Sequence, residues 1–212
     1  MRSWRSSVVA GTSARRQFFA DYAERLLFGV MFVNFLLTMG PHLPTGIDHQ
    51  MLMASECLAG VLILVRRHGT METRPYPLFI AVIGSMFPWV ITPEGTQVSH
   101  PFFAGLLMFL GLCLTISSKI CIARSFGVVP ANRGVKSDGP YRFVRHPMYL
   151  GYILNQLGFL LACFSIWNLI VYLIAWTLLV LRILEEERVL RIDPAYIAYS
   201  RHTRWRLFPR LF

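Results

Sequence analysis

The chain alternates between long apolar stretches and shorter polar, charged segments. Some of the apolar stretches are shorter than the about 20 residues that a spanning helix needs. Flanking Arg, Trp and Tyr side chains can extend them into the membrane interface. The pattern predicts an all-α membrane bundle of about six transmembrane helices, the last two joined by a tight turn. The six stretches are residues 26–39, 51–65, 77–91, 102–123, 148–163 and 167–184.

The distribution of basic residues predicts the orientation of this bundle. The 21 Lys and Arg residues fall in the N-terminal segment, around the second and fourth connections, and in the C-terminal part. The connections at 42–50, 92–101 and 164–166 hold none. Because cytoplasmic segments collect Lys and Arg, both termini are predicted to face the cytoplasm.

Composition and motif content exclude several classes of protein. Only 15% of the residues are charged, whereas soluble domains carry about 25%. The net charge of +10 is dispersed among the apolar stretches, which argues against a nucleic-acid partner. The sequence holds no C-x-x-C pair and no G-x-G-x-x-G after a strand, so neither a zinc site nor a Rossmann domain is predicted.

Three regions are expected from this organisation. Residues 1–25 form a cytoplasmic N-terminal tail, residues 26–123 form a four-helix membrane region, and residues 124–212 hold the candidate chemistry. The last region contains the two long polar segments of the chain. Long charged loops rich in Tyr are common places for function.

The first candidate cluster is the segment 139–151, with the sequence G-P-Y-R-F-V-R-H-P-M-Y-L-G. Its initial Gly-Pro marks a turn, and its second Pro suits the first position of a helix. Unpaired N–H groups at that helix end favour an anion, and Arg142, Arg145 and His146 would surround the same point. With Tyr141 and Tyr149 nearby, the segment indicates a site for a carboxylate or phosphate attached to an aromatic or purine group. The alternative is an ordinary set of membrane-interface anchors.

The second candidate cluster is R-I-L-E-E-E-R-V-L at residues 182–190. Arg182 and Glu186 are four residues apart and share one face of the predicted helix. Three consecutive Glu residues near a helix C-terminus oppose the helix dipole, and a cationic ligand would explain them. The alternative is a solvated helix end with a surface pair between Glu185 and Arg188.

Two further features are candidates of a weaker kind. Residues 196–209 alternate aromatic and basic side chains, which is typical of an interfacial segment. This segment would fold back as a lid over both clusters or would simply anchor the chain. Glu56 is an acid within an apolar stretch, and acids at membrane depth are candidates for function.

Taken together, the motifs resemble a known family. The matching patterns are G-P-Y-R-x-x-R-H-P-x-Y-x-G, R-x-x-x-E-E-x-x-L and Y-x-x-Y, spread over residues 124–209. They resemble the isoprenylcysteine carboxyl methyltransferase family, whose wider group includes the phospholipid N-methyltransferases. The resemblance implies a membrane-embedded methyltransferase that uses S-adenosylmethionine without a Rossmann domain. One departure is Asp193-Pro194, which replaces the F-G-containing stretch of the family.

The resemblance also implies roles for individual residues. Arg182 matches the family's Arg that faces the methyl acceptor, and Glu187 is the companion of the cofactor-binding acid; both are predicted to be catalytic. No metal is expected. The residues implied as cofactor contacts are Gly134, Val135, Lys136, Tyr141, His146, Tyr149 and Glu186.

The chemistry of methyl transfer favours one acceptor. A carboxylate needs no general base, only an orienting cation such as Arg182, whereas an amine must first lose a proton. The predicted function is therefore methylation of a carboxylate on a lipophilic, isoprenylcysteine-type acceptor that enters from the bilayer, with the site facing the cytoplasm. The alternatives are a phospholipid (ethanolamine) N-methyltransferase and a non-catalytic membrane protein or transporter that binds an anion near His146.

Overall fold

The computed structural model is mostly helical. It describes residues 21–26, 28–30, 32–33, 37, 47–67, 70–71, 74–86, 90–92 and 95–212. The first apolar stretch lies largely outside the described residues, although its described positions are helical. Helices are numbered from the first one whose bounds are described.

Five helices coincide with the second to sixth apolar stretches, and a short sixth helix follows in the C-terminal segment. A pair of two-residue antiparallel strands joins two of the loops, with Thr70 opposite Asn132. The helices are α1 (Ile47–Val65), α2 (Pro75–Met86), α3 (Pro101–Ile122), α4 (Pro147–Ala162), α5 (Ile166–Leu190) and α6 (Pro194–His202), and the strands are β1 (Thr70–Met71) and β2 (Ala131–Asn132).

Within the described part of the chain, two helical segments are long and apolar enough to cross a membrane. They are Pro101–Ser125 and Ile166–Leu190. The helix α4 has 16 residues, which corresponds to about 24 Å and falls short of the about 30 Å hydrocarbon core. The membrane character is therefore supported, while the six spans and their orientation stay predictions.

The helices α3 and α4 pack closely because glycines line their contact. A Cβ atom on Gly151 would lie 2.4 Å from Oγ1 of Thr115 and 2.7 Å from the carbonyl oxygen of Gly111. Gly111 and Gly158 are equally crowded by backbone atoms of the opposite helix. Small residues at such positions let helix backbones approach each other. The final Gly of the first motif thus has a packing reason, and it places the start of α4 against α3.

Replacement of Gly151 by Ala is expected to destabilise the protein by about 1–3 kcal/mol, because overpacking shifts backbone or side chains. Thermal unfolding of detergent-purified protein measures the effect as a lower midpoint. The matched control is Gly105→Ala in α3, where a Cβ would meet no heavy atom within 4 Å. An unchanged midpoint for Gly151→Ala would contradict the close helix contact.

A polar contact joins α1 to α3. Nζ of Lys119 donates hydrogen bonds to the carbonyl oxygen and to Oγ of Ser55, both at 2.9 Å, and lies 3.2 Å from Oε1 of Glu56. The Lys119 side chain is 1% exposed. Glu56 is therefore not isolated, since it pairs with a buried cation on the neighbouring helix.

Candidate functional site

A cavity lies where the loop before α4 meets the ends of α4 and α5 and the helix α6. The empty space within it is about 820 Å³, a volume that includes open solvent. Each residue implied as a cofactor contact lines it: Gly134, Val135, Lys136, Tyr141, His146, Tyr149 and Glu186. The fold thus brings the two motif clusters to the same place.

Local sequence explains the path of the loop that enters this cavity. Gly139 has a φ of +58°, a left-handed conformation that favours glycine, and it begins a 3₁₀ turn over Gly139–Arg142. Pro147 then occupies the first turn of α4, with His146 at the N-cap. Tyr141 is buried in the turn, and burial together with the nearby Glu186 raises the pKa of its hydroxyl. Tyr141 therefore stays protonated at neutral pH.

Glu186 is held at the cavity wall by residues from both motifs. The hydroxyl of Tyr149 donates a hydrogen bond to Oε1 of Glu186. Nε of Arg182 lies 3.4 Å from the same oxygen, and Nδ1 of His146 lies 3.7 Å from Oε2. The His146 and Tyr149 rings stack with centroids 5.7 Å apart. This arrangement presents one carboxylate and two aromatic rings together.

Arg182 lies one helical turn before Glu186, nearer the apolar part of α5. Its guanidinium stands 5.4 Å from the ring centre of Tyr149, and Nη2 donates a hydrogen bond to the carbonyl oxygen of Val128. Its side chain is largely buried and does not line the cavity. Along α5 it lies between Glu186, which lines the cavity, and the apolar residues 166–181.

Glu187 lies beside the cavity rather than in its lining. Its carboxylate is 3% exposed and lies 2.9 Å from Nη1 of Arg145 and 2.9 Å from Nε of Arg206. Arg191 and His146 add contacts at 3.3 and 3.6 Å. Glu187 therefore ties α5 to the loop before α4 and to the C-terminal segment. This geometry suits a positioning role.

The end of the chain folds over the first motif. The backbone N–H groups of Arg145 and His146 donate to the carbonyl oxygens of Trp205 and Arg206 at 2.9 and 2.8 Å. The hydroxyl of Tyr199 donates to the carbonyl oxygen of Tyr141 at 2.7 Å. The C-terminal segment thus packs against the first motif, and two of its residues, Tyr196 and Tyr199, line the cavity. Its function as a lid stays a prediction.

The departure from the family pattern at Asp193-Pro194 has a structural role in the described chain. Oδ1 of Asp193 accepts a hydrogen bond from the N–H of Ala195 at 2.9 Å, which caps α6. Oδ2 accepts one from Asn132 at 3.0 Å, and the Asn132 and Ala195 hydrogen bonds lower the pKa of Asp193. This residue therefore places α6, whose Tyr196 and Tyr199 line the cavity.

The motifs gave no indication of a buried ion cluster that reaches the cavity through Arg133. Glu24 accepts hydrogen bonds from the N–H groups of Val128 and Val129 at 2.6 and 3.0 Å, and Arg66 lies 2.8 Å from it. Arg133, which lines the cavity, lies 3.6 Å from Glu24. No local pattern marks these residues, since they come from three distant segments.

Asp21 completes this cluster by pairing with Arg66 at 2.5 Å. Burial acts to raise the pKa of Asp21, but the neighbouring Arg66 and Arg25 outweigh it and hold the pKa below its usual value. Asp21 is therefore ionised near neutral pH, and the segment 21–26 is tied by charge to the loop that forms the cavity.

Comparison with known proteins agrees with the motifs. Residues 99–192 match the model of the phospholipid methyltransferase family, a stretch that includes α3, the cavity loop, α4 and all of α5 but ends before α6. The match confirms the resemblance to this group. No curated protein matches the chain.

Proposed function

We propose that this chain binds S-adenosylmethionine in the cavity and methylates a carboxylate of isoprenylcysteine type. Its match to the phospholipid methyltransferase family supports a membrane methyltransferase with lipid-like substrates. One observation carries the proposal: the seven residues that the resemblance implies as cofactor contacts line a single cavity. Because they come from a loop, the start of α4 and the end of α5, this convergence is a property of the fold.

The residues in the cavity suit the chemical groups of this cofactor. The Glu186 carboxylate can accept hydrogen bonds from ribose hydroxyl groups or pair with an ammonium group. The rings of Tyr149, Tyr196 and Tyr199 offer flat surfaces for a purine. When bound, S-adenosylmethionine supplies an electrophilic methyl group on a sulfonium. The protein then has to hold the acceptor in line with that group and exclude water.

Arg182 supports a carboxylate as the acceptor. It is a largely buried cation on the membrane side of Glu186, where an acceptor entering from the bilayer would arrive, and guanidinium groups orient carboxylates through paired hydrogen bonds. Among the described residues that line the cavity, Glu186 is the one carboxylate, and Tyr149 and Arg182 already engage it. His146 is the other group in this lining that could accept a proton from an amine, and it lies against the carboxylates of Glu186 and Glu187 at 3.7 and 3.6 Å.

The family match favours a second candidate, N-methylation of a phospholipid amine. The two candidates differ in the atom that receives the methyl group: a carboxylate oxygen in the first and an amine nitrogen in the second. In either case the basic residues around the cavity loop support a site on the cytoplasmic face, by the positive-inside rule. That side agrees with a soluble cofactor and a lipid acceptor that enters sideways.

The acceptor is tested with tritiated S-adenosylmethionine and protein in lipid nanodiscs, offered either farnesylated N-acetylcysteine or phosphatidylethanolamine. We expect label on the farnesylated acid, and base should release it as methanol because it is a methyl ester. Base-stable label on phosphatidylethanolamine would instead establish N-methylation. The Glu186→Gln variant serves as the inactive control. If folded wild-type protein neither transfers label nor binds S-adenosylhomocysteine, the transporter alternative is favoured.

A further inference from the structure

Arg133 is a buried cation that faces the cavity with hydrogen-bond donors to spare. Its side chain is 2% exposed and lines the cavity wall. Within the described part of the chain, Nε and Nη2 have no hydrogen-bond partner. The nearest ion-pair contact is Oε2 of Glu24 at 3.6 Å, longer than a hydrogen bond. Buried donors of this kind are costly unless a partner is supplied.

The other cations of the cavity are committed or more exposed. Nη1 of Arg145 lies 2.9 Å from Glu187 and Nη2 donates to the carbonyl oxygen of Arg204 at 3.1 Å, so among the described residues its Nε alone lacks a partner, against two such donors on Arg133. His146 lies between the carboxylates of Glu186 and Glu187. Lys136 is half-exposed at the mouth. Arg133 is therefore the cation best placed to meet an anionic ligand inside the cavity.

The backbone around Arg133 holds its guanidinium in place. A Cβ atom on Gly127 would lie 2.3 Å from Nη1 of Arg133, so the glycine makes room for the group. The next two residues of that loop donate their N–H groups to Glu24. Burial lowers the pKa of Arg133; Glu24 opposes this effect, and Arg66 adds to it. An anion beside the guanidinium would stabilise this strongly desolvated charge.

We propose that Arg133 binds the carboxylate on the amino-acid part of the cofactor. This inference rests on the proposed function and adds a specificity-determining residue to it. The carboxylate would meet Nε and Nη2, the two donors that lack partners, in the fork geometry that guanidinium offers. The first motif, by contrast, predicts an anion site at the helix end at His146. The structure places the carboxylates of Glu186 and Glu187 beside His146, at 3.7 and 3.6 Å, and these negative charges disfavour a second anion there.

The test compares two ligands by calorimetry: S-adenosylhomocysteine and its decarboxylated analogue. Loss of charge-assisted hydrogen bonds to a carboxylate should weaken binding of S-adenosylhomocysteine to the Arg133→Gln variant by about 10- to 100-fold. The affinity for the decarboxylated analogue should change by less than about twofold. Arg133→Lys, which keeps the charge but loses the fork, should fall between wild type and Arg133→Gln.

Arg66→Gln is the matched control. Arg66 is also fully buried and pairs with Glu24 at 2.8 Å, but it does not line the cavity. This variant should lower the thermal unfolding midpoint while the ratio of the two ligand affinities stays at the wild-type value. The ratio, rather than either affinity alone, therefore separates recognition of the carboxylate from damage to the ion cluster.

Two results would overturn the role of Arg133 and leave the proposed function intact. The first is an unchanged affinity of Arg133→Gln for S-adenosylhomocysteine; if the KM for a carboxylate acceptor is raised at the same time, Arg133 is assigned to the acceptor. The second is an equal loss of affinity for both ligands. Failure of folded wild-type protein to bind either ligand would overturn the proposed function together with this inference.

Discussion

Substitution of Glu186 by Gln is expected to lower the affinity for S-adenosylhomocysteine by about 100-fold or more, since the cavity loses a charged acceptor for ligand hydroxyl or ammonium groups. The change keeps the side-chain shape but removes the partner of Arg182, His146 and Tyr149. Calorimetry on detergent-purified protein measures the loss. Methyl transfer by the variant should disappear at cofactor concentrations that saturate the wild type.

Glu185→Gln is the matched control for this prediction. Glu185 is one residue away on α5, but it pairs with Arg74 at 2.7 Å and Arg188 at 3.7 Å and does not line the cavity. Its replacement should leave cofactor affinity within about twofold of wild type, because Glu185 is outside the cavity lining. The loss of its partly exposed ion pairs should cost little stability. A second variant, His146→Ala, should also weaken binding because it removes the ring stacked on Tyr149. Wild-type affinity in Glu186→Gln would remove this residue from the cofactor site.

Substitution of Glu187 by Gln is expected to destabilise the protein by about 3–5 kcal/mol, because removal of one charge from a buried network leaves its partners uncompensated. Arg145 and Arg206, both within 2.9 Å of the carboxylate, would lose their common partner. The expected results are a thermal unfolding midpoint lower by about 10 °C and faster proteolysis of the C-terminal segment. Both are measurable in detergent.

Arg191→Gln tests whether the burial of the network matters. Arg191 contacts Glu187 at 3.3 Å, but its side chain is 55% exposed, so its loss should cost at most about 1 kcal/mol. The activity of the folded fraction of Glu187→Gln separates two roles. Retained methyl transfer at reduced stability establishes positioning. A stable but inactive variant would instead support the catalytic role predicted from the sequence.

Much of the fold and of the site was accessible from local pattern. Apolar stretches of helical length predicted the positions of five of the described helices. The two larger differences are α5, which continues to Leu190 rather than ending at residue 184, and α2, whose described residues end at Met86 rather than at residue 91. The R-H-P-x-Y-x-G and E-E motifs predicted cofactor residues that share one cavity. Such motifs are readable where a residue has a local reason, such as a turn at Gly139 or a helix start at Pro147. The reason for Gly151 is its close packing against α3, which the tertiary structure shows.

The number of membrane-spanning helices was harder to predict from the sequence than the positions of the helices. Hydropathy alone counts any apolar stretch, whereas crossing a membrane requires length as well. The helix α4 stops at Ala162 because the chain turns over three residues into α5, which begins at Ile166 with Ser165 as its N-cap. Of the described helices, α3 and α5 meet both requirements.

The sequence by itself determined the helical character of the chain, the methyltransferase resemblance and part of the cavity lining, since these depend on hydrophobic period and on contiguous motifs. Only the tertiary structure decided what each charge does. It directed Glu186 to the cavity and Glu187 to a buried network, although the two are adjacent, because successive helix positions point about 100° apart. It also brought Glu24, Arg66 and Arg133 together from distant segments. Burial makes such long-range pairing energetically important, and no local pattern records it.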